Sequence, residues 1–361
     1  MATISNQVFI SFSGETSKVS VPITTVMALS IGAKTGSVIG AATDTVQEAR
    51  GMAQDARYGL YVAQSYKKAT AIRYYGPVTG TYPMTGSDLV VQGAPQSGPP
   101  LQSPALLHPY GLAFDPQTTA LYQSSQDTNV VSGYSLGYEG ATVTATALAT
   151  SSVLAAIPNG TFYDGQYVTS SVPLAVNPGI TLLPQTAGGL GYTDDGSAHS
   201  VRGIAVAGTT LYVVDEAAAL VGTYDLRSGA FTGWITTNGT SLTPMSAPVG
   251  IVADGDGNVY IGDSGSNTIY KWAPAGGPTA ASLSVFASGD QLKKISGLAV
   301  LPDGSMLFGS REAVTTAGGS GGKGAQTYSI YRIGHHGGID PWATGFTDTP
   351  ECLLCVEVVS G

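Results

Sequence analysis

The stretch Ala247–Ala273, APVGIVADGDGNVYIGDSGSNTIYKWA, constrains this chain more than any other. A short apolar run, Gly250 to Ala253, turns at Asp254-Gly255-Asp256-Gly257-Asn258 into a second run, Val259 to Gly262, and then around Asp263–Asn267 into a third, Thr268 to Trp272. Asp-Gly and Gly-Asn between apolar runs are hairpin chemistry, because such turns need positive φ and glycine supplies it at no steric cost. One antiparallel meander of this size cannot bury both of its faces. It needs neighbours of its own kind, so the chain is read first for recurrence.

The recurrence is present. Arg50-Gly51-Met52-Ala53, Tyr110-Gly111-Leu112-Ala113, Arg202-Gly203-Ile204-Ala205, Val249-Gly250-Ile251-Val252 and Ser296-Gly297-Leu298-Ala299 all open in the same way. Each is followed by a turn and a second run with an aromatic or apolar centre, such as Leu60-Tyr61-Val62, Leu211-Tyr212-Val213 or Met306-Leu307-Phe308, and then by a third. Pro350–Cys355 looks like a sixth first strand with nothing after it. Gln7–Ser11 and Lys18–Val21 look like second and third strands with no first strand before them. Joining the two removes an exposed sheet edge, a hazard for antiparallel proteins.

The expectation is an all-β, six-bladed β-propeller of four-stranded antiparallel blades, a single domain over 1–361 closed by pairing of the N- and C-terminal strands. Blade six is shared between 3–45 and 349–361. Small residues on one face of the innermost strands (Gly203, Ala205) and bulky ones on the other (Ile204, Val206) let neighbouring blades interlock. Cys352 and Leu354 break that pattern in the sixth, so packing should differ there.

The fourth repeat resembles the NHL-repeat propellers, with Pro248, Gly250 and Ile251, the Asp254–Asn258 turn, Tyr260, Asp263, Asn267 and Ile269 at the family's spacings. The resemblance covers the fourth and fifth repeats well and the others weakly. It implies the fold. It leaves the activity open, because similar six-bladed propellers include regucalcin/gluconolactonase-type lactonases, strictosidine synthase-like enzymes, virginiamycin B lyase-like and other lyases, and pure binding platforms.

Charged residues are only 11% of the chain, against 43% hydrophobic residues and 49 glycines, which suits a rigid, turn-rich β protein. A net charge of −9, with no basic cluster, argues against nucleic acid as a partner. The apolar segment Val26–Ala42 is broken by Lys34 and three glycines and is too short to span a bilayer. No basic segment precedes it, so it is not read as a signal peptide. The low-charge, Ser/Thr/Gly-rich surface points to a secreted or periplasmic protein, expected to be a monomer. Three residues along a strand separate Cys352 and Cys355 by about 10 Å and turn their side chains to opposite faces, beyond the roughly 7 Å limit for a disulfide. Buried free thiols are expected.

In a propeller the residues that open each inner strand ring the axial mouth. Here they are Glu48 and Arg50, His108 and Tyr110, His199, Ser200 and Arg202, Ala247 and Val249, Lys294 and Ser296, and Asp348 and Glu351. The long loops 92–107, 158–199 and 315–326 should crowd the same face. Arg50, Arg202 and Lys294 on alternate blades suit a small, anionic or carbonyl-bearing molecule, with Glu48 and His199 as further ligand contacts. His108, Tyr110 and Glu351 are the candidates for proton transfer. Arginines that merely pair with Glu48, Asp348 or Glu351 would instead brace the ring.

A divalent ion in the axial channel would match the regucalcin group at Glu351, but its partners are missing, and only His108 and His199 imitate a His-rich centre. Asp254-x-Asp256-Gly257-Asn258 lacks the later bidentate Glu of a calcium loop. The two functional expectations are a lyase or hydrolase acting in the mouth, and a non-catalytic propeller binding a protein or glycan through its loop-rich face.

Overall fold

In a computed structural model of the chain, residues 3–360 are described apart from 16–20, 33–34, 67–68, 94–98, 104–105, 127–129, 149–160, 164–165, 169–179, 183–199, 228–230, 236–244, 274–282, 316–325 and 335–336. Six antiparallel four-stranded units form a six-bladed β-propeller. Their inner strands are Ala49–Gln54, Pro109–Asp115, Val201–Ala207, Pro248–Ala253, Ile295–Val300 and Pro350–Ser360 for blades one to six. Blade six is completed by Thr3–Phe12, Met27–Ser30 and Ser37–Ala41, with Thr3–Phe12 paired antiparallel to Pro350–Ser360 along its whole length. The third strand of this blade is thus Met27–Ser30, whereas the sequence pointed to Lys18–Val21, of which 18–20 lie outside the described residues. The apolar segment Val26–Ala42 becomes two outer strands. Among the described residues, no helix is long and apolar enough to cross a membrane.

The blades are held by apolar wedges between each adjacent pair. Between blades three and four, Tyr212 and Val214 meet Val259, Ile261 and Tyr270; between blades five and six, Leu307, Ile330 and Trp342 meet Val8, Ile10 and Leu353. The glycines of the inner strands make close approach of the blades to one another possible. A Cβ on Gly51 would lie 2.4 Å from the Tyr110 carbonyl oxygen, and one on Gly250 would lie 2.1 Å from that of Ser296. Cys352, at the equivalent place in blade six, is accommodated in the wedge with Met52 and Val356, while Cys355 faces the wedge with Ile10 and Leu353. The two thiols are free and on opposite faces of the strand, and burial pushes both up to about 11.

The turns at the far end of the blades use one device. Asp254 Oδ1 accepts the backbone N–H groups of Asp256 (3.0 Å) and Asn258 (2.8 Å), and Oδ2 accepts from Asn258 Nδ2 (2.8 Å) and Tyr260 Oη (3.2 Å). In blade one, Asp55 Oδ1 accepts from Arg57 and Gly59, both at 2.8 Å. Both carboxylate oxygens of Asp254 are therefore committed to the turn, and turn chemistry accounts for the calcium-like spacing.

Part of the connection 92–107 is regular, since Leu101–Ser103 pairs in parallel with Ser87–Gln92. Within 158–199, Ile180–Leu182 adds to Val130–Glu139, and Thr161–Tyr163 pairs with Gln166–Val168. Residues 316–325 of the third loop, His199, and the pair His335-His336 lie outside the described residues.

Candidate functional site at the propeller axis

Each inner strand carries a bulge at the same level. The register with the second strand shifts between Ala49 and Met52, between Pro109 and Leu112, between Val201 and Ile204, between Pro248 and Gly250, between Ile295 and Leu298, and between Pro350 and Cys352. A bulge leaves a residue outside the ladder and re-aims its side chain. Six of them in register produce a ring: Arg50, Tyr110, Arg202, Val249, Ser296 and Glu351. Two buried serines fasten the arginine-bearing bulges to the preceding blade. Ser11 Oγ accepts from the Cys352 N–H (3.1 Å) and donates to the Arg50 carbonyl (2.5 Å). Ser124 Oγ accepts from the Gly111 N–H (2.8 Å) and donates to the Arg202 carbonyl (2.6 Å).

Glu351 is the centre of the polar cluster. Its Oε2 accepts from Arg311 Nη2 at 2.6 Å, and its Oε1 lies 3.3 Å from Arg50 Nη1. Arg311 also donates to the Tyr110 hydroxyl, so one guanidinium on blade five reaches both blade two and blade six. Arg50 gives its Nη2 to Glu15 Oε1 at 2.7 Å. Arg202 lies over the Tyr110 ring, 5.0 Å from its centroid, within cation–π range, and is bound by Glu216 Oε2 at 2.6 Å and by Gln126.

Burial opposes the Glu351 charge, but Arg311 and Arg50 outweigh it and hold the carboxyl below its usual range. Burial raises the Tyr110 phenol, with Arg311 pulling only partly the other way, so Tyr110 is protonated at neutral pH. Burial likewise works against the Arg50 charge, and Glu351, with Tyr110 and Glu15, more than restores it.

Beneath this polar cluster runs a channel of about 230 Å³ along the axis. Arg50, Tyr110 and Glu351 line its polar end, and its walls are apolar, including Met52, Leu112, Ile204, Ile251 and Leu298. Arg50 is 5% exposed, and its Nε and Nη1 have no hydrogen-bond acceptor among the described residues.

The structure therefore brings together Arg50, Tyr110, Arg202 and Glu351. It does not bring Glu48, His108 or Lys294 to the channel wall. These three occupy a position two residues before the ring, with φ of 51°, 48° and 50°, and their carbonyls accept the N–H groups of Ser65, Gln126 and Arg311. The equivalence assumed between Lys294 and the two arginines is thus displaced by two residues; blade five's ring residue is Ser296. Lys294 is 64% exposed and pairs with Glu312 at 2.7 Å. Asp348 is buried and accepts the backbone N–H groups of Gly14 and Ile23, so it braces the connection after Thr3–Phe12. Each arginine of the cluster has a glutamate: Arg50 has Glu15 and Glu351, Arg202 has Glu216 and Arg311 has Glu351.

Gln126, Glu216 and Arg311 were not anticipated. They are the residues directly after the ends of their blades' second-strand pairing with the inner strand, and their N–H groups make the same bond back to His108, Ser200 and Lys294. Aligning the second strands would have shown that second ring. Glu15 lies on the connection between the second and third strands of blade six, two residues beyond Ser13, whose N–H makes the equivalent bond back to Thr349. Among the described residues, no group of three or more His, Cys, Asp or Glu side chains is placed to hold a metal ion.

No protein-family model matches the chain, and no curated protein matches it. Solved structures do match, at low identity and nearly full length. A protein from Lactobacillus plantarum is 14% identical with a TM-score of 0.58, covering 98% of this chain and 100% of that one. A chain of the nidogen/laminin complex is 9% identical with a TM-score of 0.57, covering 98% of each. A candidate 6-phosphogluconolactonase from Bacteroides uniformis is 9% identical with a TM-score of 0.55, covering 97% and 99%. Likenesses of this kind define the fold, and with the sheet topology they place the chain among the six-bladed β-propellers.

Proposed function

We propose that the axial channel binds a small molecule with an apolar body and an oxygen-bearing head, the head meeting Arg50 and Tyr110, and that the propeller is an enzyme of the lyase or hydrolase kind. The observation that carries this reading is Arg50. A guanidinium so nearly buried, whose Nε has no acceptor among the described residues and whose Nη1 makes only a 3.3 Å ion-pair contact with Glu351 Oε1, is costly unless water or a ligand oxygen completes it. Arg50 faces a channel whose remaining walls offer an apolar body a complementary surface.

The chemistry follows from the protonation states. Tyr110 accepts a hydrogen bond from Arg311 and keeps its own O–H proton to donate. A carbonyl oxygen held by that O–H and by the Arg50 N–H groups is polarised, and negative charge developing on it is stabilised there. Glu351, held ionised between two arginines, serves as their counter-ion; Tyr110, not His108, is the proton donor in this reading. The fold shared with a candidate lactonase is compatible with chemistry at the axis.

Benzamide is a suitable probe, with a ring for the channel and a carbonyl for Arg50. Calorimetric titration is expected to show saturable binding to the wild type and a loss of about tenfold to a hundredfold in Arg50→Met, the range for a hydrogen bond to a charged group. Equal binding by the two proteins would remove Arg50 from the site. It would favour a non-catalytic propeller whose arginines only brace the ring.

A further inference from the structure

The polar cluster is electrically balanced. Arg50, Arg202 and Arg311 bring three positive charges, and Glu15, Glu216 and Glu351 bring three negative ones. Glu216 holds Arg202, which does not line the channel, and Glu351 is shared between Arg311 and Arg50. Glu15 stands apart. It lies on the connection after Thr3–Phe12, its side chain is 19% exposed, and it binds the arginine that lines the channel.

We propose that Glu15 is a built-in counter-ion that makes the axial pocket select neutral, carbonyl-bearing ligands over anions of the same shape. The inference rests on the axial channel being a ligand site. A carboxylate brought to Arg50 would place a fourth negative charge within a few ångströms of Glu15 and Glu351. In a partly desolvated mouth that repulsion is worth roughly tenfold in affinity or more. An amide, ester or ketone oxygen accepts the same N–H groups without it. Neutralising Glu15 would leave Arg50 with only its share of Glu351, and the cluster with one positive charge in excess. Specificity of this kind comes from a repulsive element rather than from an added contact.

The experiment compares benzamide with benzoate, which have nearly the same shape and differ in charge. Both are titrated into wild type, Glu15→Gln and Glu312→Gln at neutral pH and fixed ionic strength. Glu312→Gln makes the same change in net charge on the exposed Lys294–Glu312 pair, outside the channel. Wild type is expected to prefer benzamide by about tenfold. Glu15→Gln is expected to gain about tenfold for benzoate, with benzamide changed less than twofold, and Glu312→Gln to leave both ligands within about twofold. Unchanged benzoate affinity in Glu15→Gln would overturn the inference while leaving the ligand site standing. An equal gain in Glu312→Gln would also overturn it, by assigning the effect to overall charge. Absence of binding by either ligand to any of the three proteins would overturn the inference together with the axial-pocket reading.

Discussion

Deleting residues 350–361 is expected to abolish cooperative unfolding altogether. The strand Pro350–Ser360 is the inner strand of blade six and, among the described residues, the only partner of Thr3–Phe12 on that side. It contributes Leu353, Val356 and Val358, all at most 3% exposed, to the wedges on both of its faces. Burial of three such side chains is worth roughly 1.5–3 kcal/mol each. Their sum approaches the whole of a typical domain's stability, about 5–15 kcal/mol. The deletion also opens the ring, exposing the wedge faces of blades one and five and the edge of Thr3–Phe12. A thermal melt followed by circular dichroism should show no transition. A cooperative transition at the wild-type temperature would mean that the ring is closed by something else.

Replacing Glu351 by alanine is expected to cost about 3–5 kcal/mol, the range for removing one partner from a buried ion pair. Glu351 is 9% exposed and serves two arginines at once. Without it Arg50 keeps Glu15, but Arg311 keeps only the field of Glu216 and the neutral Tyr110 hydroxyl, and the two guanidiniums lose the carboxylate they share. The pH dependence has a definite sign. The folded-state pKa of Glu351 is lowered below its unfolded value, so its contribution is fully present above the unfolded pKa and is lost as pH falls through the folded pKa. Urea melts from neutral pH into the acid range should show wild type losing stability more steeply than Glu351→Ala, so that the two converge at low pH. A difference below about 1 kcal/mol at neutral pH would show that the pair contributes little.

Much of this was legible in the sequence, for reasons that can be named. The inner strands repeat a small-large alternation because neighbouring blades approach to backbone contact, and that demand leaves glycine at Gly51, Gly111, Gly203, Gly250 and Gly297. The residue before each glycine, or before Cys352 in blade six, is the one a bulge turns towards the axis, so Arg50, Tyr110, Arg202 and Glu351 could be lined up by counting. Lys294 was lined up with them from three residues before its glycine, where a left-handed backbone takes the chain into the bulge. Arg311 could not be reached by counting inner strands. It sits at a register shift in the hairpin Met306–Thr315/Gln326–Ile333, and its importance comes from spanning the axis, a three-dimensional property. Glu15 is less legible still, because the sequence of its second-to-third-strand connection matches no other blade's.

Everything proposed for the axis rests on Arg50 and the channel forming a ligand site. The most direct measurement is a crystal structure of the protein soaked in a saturating concentration of benzamide. The expected result is the ring within the channel between Met52, Leu112 and Leu298, with the amide oxygen within hydrogen-bond distance of the Arg50 guanidinium and the Tyr110 hydroxyl. A channel holding only water or side chains under those conditions, with Arg50 unaltered, would contradict it.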